Sequence, residues 1–541
     1  LVPAEKRTWT QAFGRTGDQG NALTAPLSPS NTYVAYLSRL EPLDSGDVTA
    51  MFEMVTLEWA SNAANSAQEV IAAAPDGPAT MWSIAAVAPS TFQAALGVTD
   101  PDLVAEGVWF LLTFTMVSSL LEDPAGGELA GDLTDALYPF APTSTSYGTY
   151  ELTQGQCLFA PDVQDDGTAR LSEPDPASFR AFLTLTDAEK KLLRQLLQGY
   201  GALVAALAQP GTMPPPPPPL PPPIGPGPTV VAIGVMDIGA GSCNLLFTKN
   251  SAGQLEPLVY LDVGRPYNAF KNTEPGNLDA DPKKTNSGPI LQNASGTLSV
   301  VLTHWDQDHL LLGLTPGLAT LPWLAPTQSY GPGTTKLVAG LTRITRLPTG
   351  FGSRDFGSYK LVEVSLGRPK KKGKDPEFQN NSGLAMLVPL WFPTDELQPH
   401  QCLLPGDASI GNLGGPPLTD VTAYTAVHHG ANTFKATENL PTPVVTPGVV
   451  AFSYGIRTSP KPTANNQHGY NHPTQASIAA NRTAGWTRQV ATAETKVVNG
   501  AMPERNGVRG NLLIGQPLDV APAYATTAFA VYVTKLTSGQ S

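Results

Sequence analysis

His304, Asp306, Asp308 and His309 all fall in the short run Thr303-His-Trp-Asp-Gln-Asp-His309. Imidazole nitrogens and carboxylate oxygens are the donors that Zn, Mn and Fe accept, and several are needed to hold one ion. The preceding Leu298-Ser-Val-Val-Leu302 is apolar and partly β-branched, so it reads as a buried strand that delivers these side chains at its end. A loop there can point alternate side chains at two neighbouring ions. On that reading His304 and Asp306 face one metal, and Asp308 and His309 face the other. Two more segments suit the same chemistry. Leu403-Leu-Pro-Gly-Asp407 is a strand ending in Gly-Asp, whose carboxylate can bridge cations about 3.5–4 Å apart. Ala426-Val-His-His-Gly430 supplies a His pair followed by a glycine that allows close backbone approach. Together they form a two-metal donor set: His304, Asp306, Asp308, His309, Asp407 and His428.

Histidine placement supports this. The chain has 7 histidines; His304, His309, His428, His429, His468 and His472 cluster late in the sequence, and His400 stands apart. A single histidine is more often a satisfied core or surface residue than a ligand. Clusters joined to aspartates are not well explained that way.

The elements that must position these groups are short strands. From 229 onward the chain shows β-rich runs broken by Gly and Pro, at Val230–Asp237, Asn244–Thr248, Pro257–Val263, Leu298–Thr303, Leu384–Leu390, Gln401–Leu404 and Val449–Ser453. Residues 213 to 228, from Met213 to Pro228, are proline-rich and predict an extended polyproline II linker that could also dock on an aromatic groove of a partner. Residues 1 to 212 contain no histidine and read as mainly helical. Asp102–Leu121 is an apolar run suited to a buried helix, and Thr186-Asp-Ala-Glu189 has capping-box spacing before Leu192, Leu193, Leu196 and Leu197. Thr143–Gly155 reads as loop or short strands. The expected organisation is therefore a helical domain over 1–212, a linker over 213–228 and a sheet-forming domain that carries the His and Asp segments over 229–541.

At 541 residues the chain is too long for one ordinary core. A net charge of -12 argues against a surface built to coat nucleic acid, although metals in a nuclease would supply positive charge locally. The 3 cysteines, Cys157, Cys243 and Cys402, show no metal-binding or disulfide spacing, so a reducing, cytoplasmic setting is expected. No signal peptide is visible, and Val108–Leu121 is too short to span a bilayer, so no membrane partner is expected. Arg368-Pro-Lys-Lys-Lys-Gly-Lys374 is a basic loop that could touch phosphates, although such loops are more often solvated turns.

In order, the segments from about residue 230 onward resemble the metallo-β-lactamase superfamily, and within it the hydrolase domain of ComEC-type competence proteins. Val235-Met-Asp-Ile-Gly-Ala-Gly-Ser-Cys-Asn244 is similar to the family's opening strand and turn, and Leu258-Val-Tyr-Leu-Asp-Val-Gly264 to its second strand, with Asp262 in the usual supporting position. Thr303–His309, Asn381-Ser382, Leu404–Asp407, His428–Gly430, Ser453-Tyr-Gly455 and Tyr470-Asn-His-Pro473 follow in the family's order. Three departures stand out. Asp306 replaces the wider superfamily's second His, His400 lies too close to Asp407 to serve as the separate His of many members, and Ala240 and Ser242 replace the branch's Gln and Asp.

The resemblance implies an α/β fold, the αββα metallo-β-lactamase sandwich, with one or two divalent ions, Zn or Mn. It implies a hydrolase, a phosphodiesterase or nuclease acting on DNA or another nucleotide substrate through a metal-activated water. Asp308 would orient or deprotonate that water, and His429 and His472 would contact the substrate oxyanion or protonate the leaving group. The competing reading is an effector or regulatory protein. In it, a partner-binding module over 1–212 or the polyproline segment controls a hydrolase acting on an ester, thioester or amide.

Overall fold

The strands Asn31–Pro42 (β2) and Val48–Thr56 (β3) send alternate apolar residues into one core: Tyr33, Ala35 and Leu37 on the first, Ala50, Phe52 and Met54 on the second. Successive side chains point to opposite faces of a strand, so one set lines the interior of a closed sheet, and the intervening Val34, Tyr36, Met51 and Val55 are buried as well. The computed structural model describes, with short interruptions, residues 12–14, 31–61, 80–119, 146–171, 188, 191, 228–265, 298–364, 380–390, 400–431, 440–454, 473–492, 511–515 and 533–534. They fall into two compact units, one of Leu1–Met213 with Ser329–Ala339 and Lys372–Phe378, the other of the remaining residues.

In the first unit β2 and β3 join Ala12–Gly14 (β1), Thr80–Val87 (β4), Trp109–Ser119 (β5) and Ser146–Phe159 (β6). They form a closed barrel in the order β1-β4-β3-β2-β5-β6, sealed by β1 against β6. Phe92 on the helix Pro89–Ala95 (α1) packs edge-on to Phe52, 6.2 Å between ring centroids. The hairpin Pro161–Val163 (β7) and Ala169–Leu171 (β8) follows.

This architecture corrects the mainly helical reading of residues 1–212. The apolar run Asp102–Leu121 contains a strand, β5, because aromatic and β-branched residues suit a pleated surface and Val108, Phe110 and Leu112 turn inward in alternation. A short apolar run cannot be assigned by periodicity alone, and long-range pairing decided it. The Thr186–Leu197 reading lies outside the described residues, apart from Ala188 and Lys191, as do the polyproline segment up to Gly227 and the basic loop at 368–374.

The second unit is a two-sheet sandwich. Its first sheet runs in sequence order Ala232–Val235 (β9), Cys243–Lys249 (β10), Leu255–Val263 (β11), Ser299–Val301 (β12), Trp323–Pro326 (β13) and Ile344–Leu347 (β14). The second comprises Ser353–Asp355 (β15), Lys360–Val364 (β16), Leu384–Leu390 (β17), His400–Leu404 (β18), Leu413–Gly414 (β19), Val421–Thr425 (β20), Val449–Phe452 (β21) and Arg488–Ala491 (β22). Leu512–Gly515 (β23) and Val533–Thr534 (β24) extend the first sheet beyond β9.

Val235, Leu261 and Val301 of one sheet and Met386, Leu404 and Ala451 of the other share a buried core. Each of these side chains except that of Ala451 contributes roughly 1.5–3 kcal/mol by leaving water. The helix Gln475–Thr483 (α3), which follows the helical turn Gln307–Leu310 (α2), covers the outer face of the second sheet through Ile478, against Tyr424, Phe452 and Trp486. Thr474 caps it by accepting a hydrogen bond from the Ser477 amide at 3.1 Å.

Strands β11, β12, β13 and β14 are mutually parallel, as are β18, β20, β21 and β22. Their carboxyl ends carry the loops of interest, which is where open α/β sheets place their ligands. Among the described residues no helix is long and apolar enough to cross a membrane.

Candidate metal centre

Asp407, in the turn after β18, is the hub. Its Oδ2 lies 3.4 Å from His428 Nε2 and 3.9 Å from His304 Nε2, whereas its Oδ1 lies 3.1 Å from His309 Nε2 and 3.7 Å from His429 Nε2. Each oxygen therefore serves its own pair of imidazoles, the arrangement expected of a carboxylate bridging two cations. Asp306 Oδ2 stands 3.5 Å from His304 Nε2, and Asp308 Oδ2 stands 3.9 Å from His429 Nε2. Two donor groups have ligand atoms close enough to share an ion: His304, His309 and Asp407, and Asp308, His309 and His429. His309 belongs to both, so the simple split that sends it to one metal with Asp308 does not describe the geometry. His429, expected to contact substrate, stands among the donors.

Surrounding groups aim these rings. Asp262, at the end of β11, accepts hydrogen bonds from Thr303 N at 2.8 Å and Thr303 Oγ1 at 3.0 Å, and meets His309 Nδ1 at 2.8 Å. A proton on that Nδ1 leaves Nε2 free to donate its lone pair, the carboxylate–histidine arrangement that orients metal ligands. Thr303 Oγ1, having given its proton to Asp262, can accept from His304 Nδ1 at 3.0 Å. His429 Nδ1 meets the Ser453 carbonyl at 2.9 Å, and only a protonated Nδ1 can donate there. All three rings then present Nε2 to the centre.

The backbone is specialised here as well. The non-glycine residues with positive φ among the described residues are Asp262 (61°), His428 (46°) and His429 (55°). Each such residue costs roughly 1–3 kcal/mol and persists only where its surroundings hold it. Gly264 is required for another reason: a Cβ there would sit 1.7 Å from the Asp308 carbonyl oxygen. The opening turn reinforces this contact, because Ser242 N donates to that carbonyl at 3.1 Å.

Burial opposes charge on His309, but the carboxylates of Asp407 and Asp262 on either side outweigh it and hold its pKa well above the usual imidazole value. Burial likewise opposes charge on Asp407, and His428, His309 and His429 outweigh it, holding the carboxyl well below its usual range. These residues fit divalent cations. His304 Nε2 and Asp306 Oδ2 are buried without a hydrogen-bond partner, a costly state that a shared cation would relieve.

The sequence-derived residues His304, Asp306, Asp308, His309, Asp407, His428 and His429 thus converge. His472 lies outside the described residues, and His400 begins β18, whose other end leads to Asp407. The supporting roles of Thr303 and Ser453 carry no local signal, since a hydroxyl and a carbonyl acquire them only through contacts distant in sequence.

No family model and no curated protein matches the chain. Among solved structures it aligns with the crystal structure of a long form RNase Z from yeast at 11% identity and a TM-score of 0.22, covering 44% of this chain and 39% of that one. So low a score lends no weight to a shared fold or activity.

Proposed function

We propose that the second unit is a metal-dependent hydrolase of metallo-β-lactamase type, a phosphodiesterase or nuclease acting on DNA or another nucleotide substrate. One observation carries this reading: the two oxygens of Asp407 each address a separate pair of histidines. Two-cation sites of this kind suit in-line displacement at phosphorus, where entering and departing oxygens both need stabilisation. His304, Asp306 and His428 would hold one cation with Asp407 Oδ2. Asp308 and His429 would hold the other with Oδ1, and His309 stands within reach of both donor groups.

When bound, the cations supply Lewis acidity, lowering the pKa of water and offsetting negative charge on the transferring group. Asp308 takes the proton of the attacking water or orients it, in keeping with a carboxylate beside a cluster of imidazoles. His429, tethered through Nδ1 to Ser453, keeps the Nε2 lone pair directed inward, where it would hold a cation. Asp262 and Thr303 act as positioning residues, and the buried walls exclude bulk water.

The test is metal content of the purified protein alongside cleavage of bis(p-nitrophenyl) phosphate and of single- and double-stranded DNA, wild type beside Asp308→Ala. One to two equivalents of metal, with cleavage that disappears in the variant, is the expected result. Bound metal with hydrolysis only of an ester or thioester would replace the phosphodiester assignment, and a protein that takes up no Zn or Mn would overturn the reading.

A further inference from the structure

The turn Asn380–Ser382 enters β17 between the two ligand-bearing loops and is tied to both. Asn381 Oδ1 accepts from the Ser409 amide at 2.8 Å, two residues beyond Asp407. Ser382 Oγ accepts from Gln328 Nε2 at 2.8 Å, and Gln328 Oε1 in turn accepts from the amide of Trp305, the residue between His304 and Asp306. Leu384 N donates to the Thr303 carbonyl at 2.7 Å, and a Cβ on Gly383 would come within 3.1 Å of His304 Cβ.

Asn380 belongs to this turn yet contributes nothing to the strapping. It is 1% exposed, and neither Nδ2 nor Oδ1 has a hydrogen-bond partner. Among the described residues it is the one side chain with both polar atoms in that state. A buried carboxamide with no partner among the described residues opposes folding, so its retention beside the ligand loops calls for a partner that arrives later. A neutral carboxamide adds no charge to the site, and its N–H suits an anionic oxygen that the cations would draw in.

We propose that Asn380 contacts the substrate, its Nδ2 donating to a non-bridging phosphoryl oxygen of the phosphodiester at the metal pair. This rests on the phosphodiesterase reading above. The experiment compares wild type, Asn380→Leu and Asn380→Ala as metal-loaded full-length proteins. It measures metal stoichiometry, melting temperature, kcat and KM on bis(p-nitrophenyl) phosphate, and calorimetric affinity for inorganic phosphate.

The expected result is full metal content, an Asn380→Leu melting temperature equal to or above wild type, kcat lowered about 100–1,000-fold, and phosphate affinity lowered about tenfold or more. Should the wild type cleave no phosphodiester, the phosphodiesterase reading fails by itself, and Asn380 stands or falls on the phosphate titration. Three outcomes overturn the proposal. Unchanged phosphate affinity is one. Metal lost in Asn380→Leu would make Asn380 a ligand instead. Activity loss that tracks a lowered melting temperature in both variants would make it structural.

Discussion

Asp262 touches no expected cation, yet it joins Thr303 to His309 and so decides which nitrogen of His309 faces the centre. Asp262→Ala should lower metal affinity about 10–100-fold, as loss of such supporting partners does elsewhere; competition with a chelating dye would measure it. The same ring sets a pH dependence. Because Asp407 and Asp262 raise the His309 pKa, the metal-free ring keeps its proton well above the usual imidazole range, and a cation must displace that proton to bind. Metal affinity should therefore rise with pH across neutrality, with proton release seen as a buffer-dependent calorimetric heat. Affinity independent of pH from 6 to 9 would contradict the assignment of His309 as a ligand. The donor types at this scale were legible in Thr303–His309, Asp407 and His428, since they depend on residue chemistry alone. Which oxygen of Asp407 faces which histidine was not, because that pairing joins residues far apart in the chain.

Elements set the tolerance of the site to change. The end of β11 and the loop after β12 approach so closely that Gly264 has no room for a methyl group, and the obstructing atoms are backbone of Asp308 and Ser242, which cannot rotate aside. Gly264→Ala should destabilise the protein by about 2–4 kcal/mol and strip metal from the site. Gly253 has φ +76° with nothing within 4 Å, so Gly253→Ala should cost only about 1 kcal/mol and leave metal binding intact. Thermal denaturation of both variants, with metal analysis, checks the contrast. Strands of the second unit were readable where β-branched and apolar residues meet Gly or Pro: Leu384–Leu390 was bounded as it stands in the fold, and His400–Leu404 differs by one residue at its start. Trp109–Ser119 was misread because its apolar run satisfies helix and strand alike until a partner strand is supplied.

At the scale of the whole chain, the first unit includes Ser329–Ala339. There the buried Glu53 accepts hydrogen bonds from the amide and hydroxyl of Thr334, at 3.2 and 3.3 Å. Glu53→Ala should lower stability by about 1–3 kcal/mol by leaving these donors without their carboxylate, measurable by denaturant titration. Net charge acts over the same scale. At -12 the chain repels a polyanion, so metal-free protein should show no detectable binding to duplex DNA near physiological salt, whatever the site does when loaded. Filter binding or fluorescence anisotropy reads this directly.

The sequence by itself determined the candidate His and Asp donors, the strand ends that carry them and the acidic character of the chain, because residue chemistry and short-range periodicity suffice for each. Tertiary structure alone decided the closed barrel, the division of Asp407 between two histidine pairs, the tautomers imposed by Asp262 and Ser453, and the buried, unpartnered amide of Asn380. Barrel closure and these contacts join residues distant in sequence, and the burial that leaves Asn380 without water arises only once the sheets have packed.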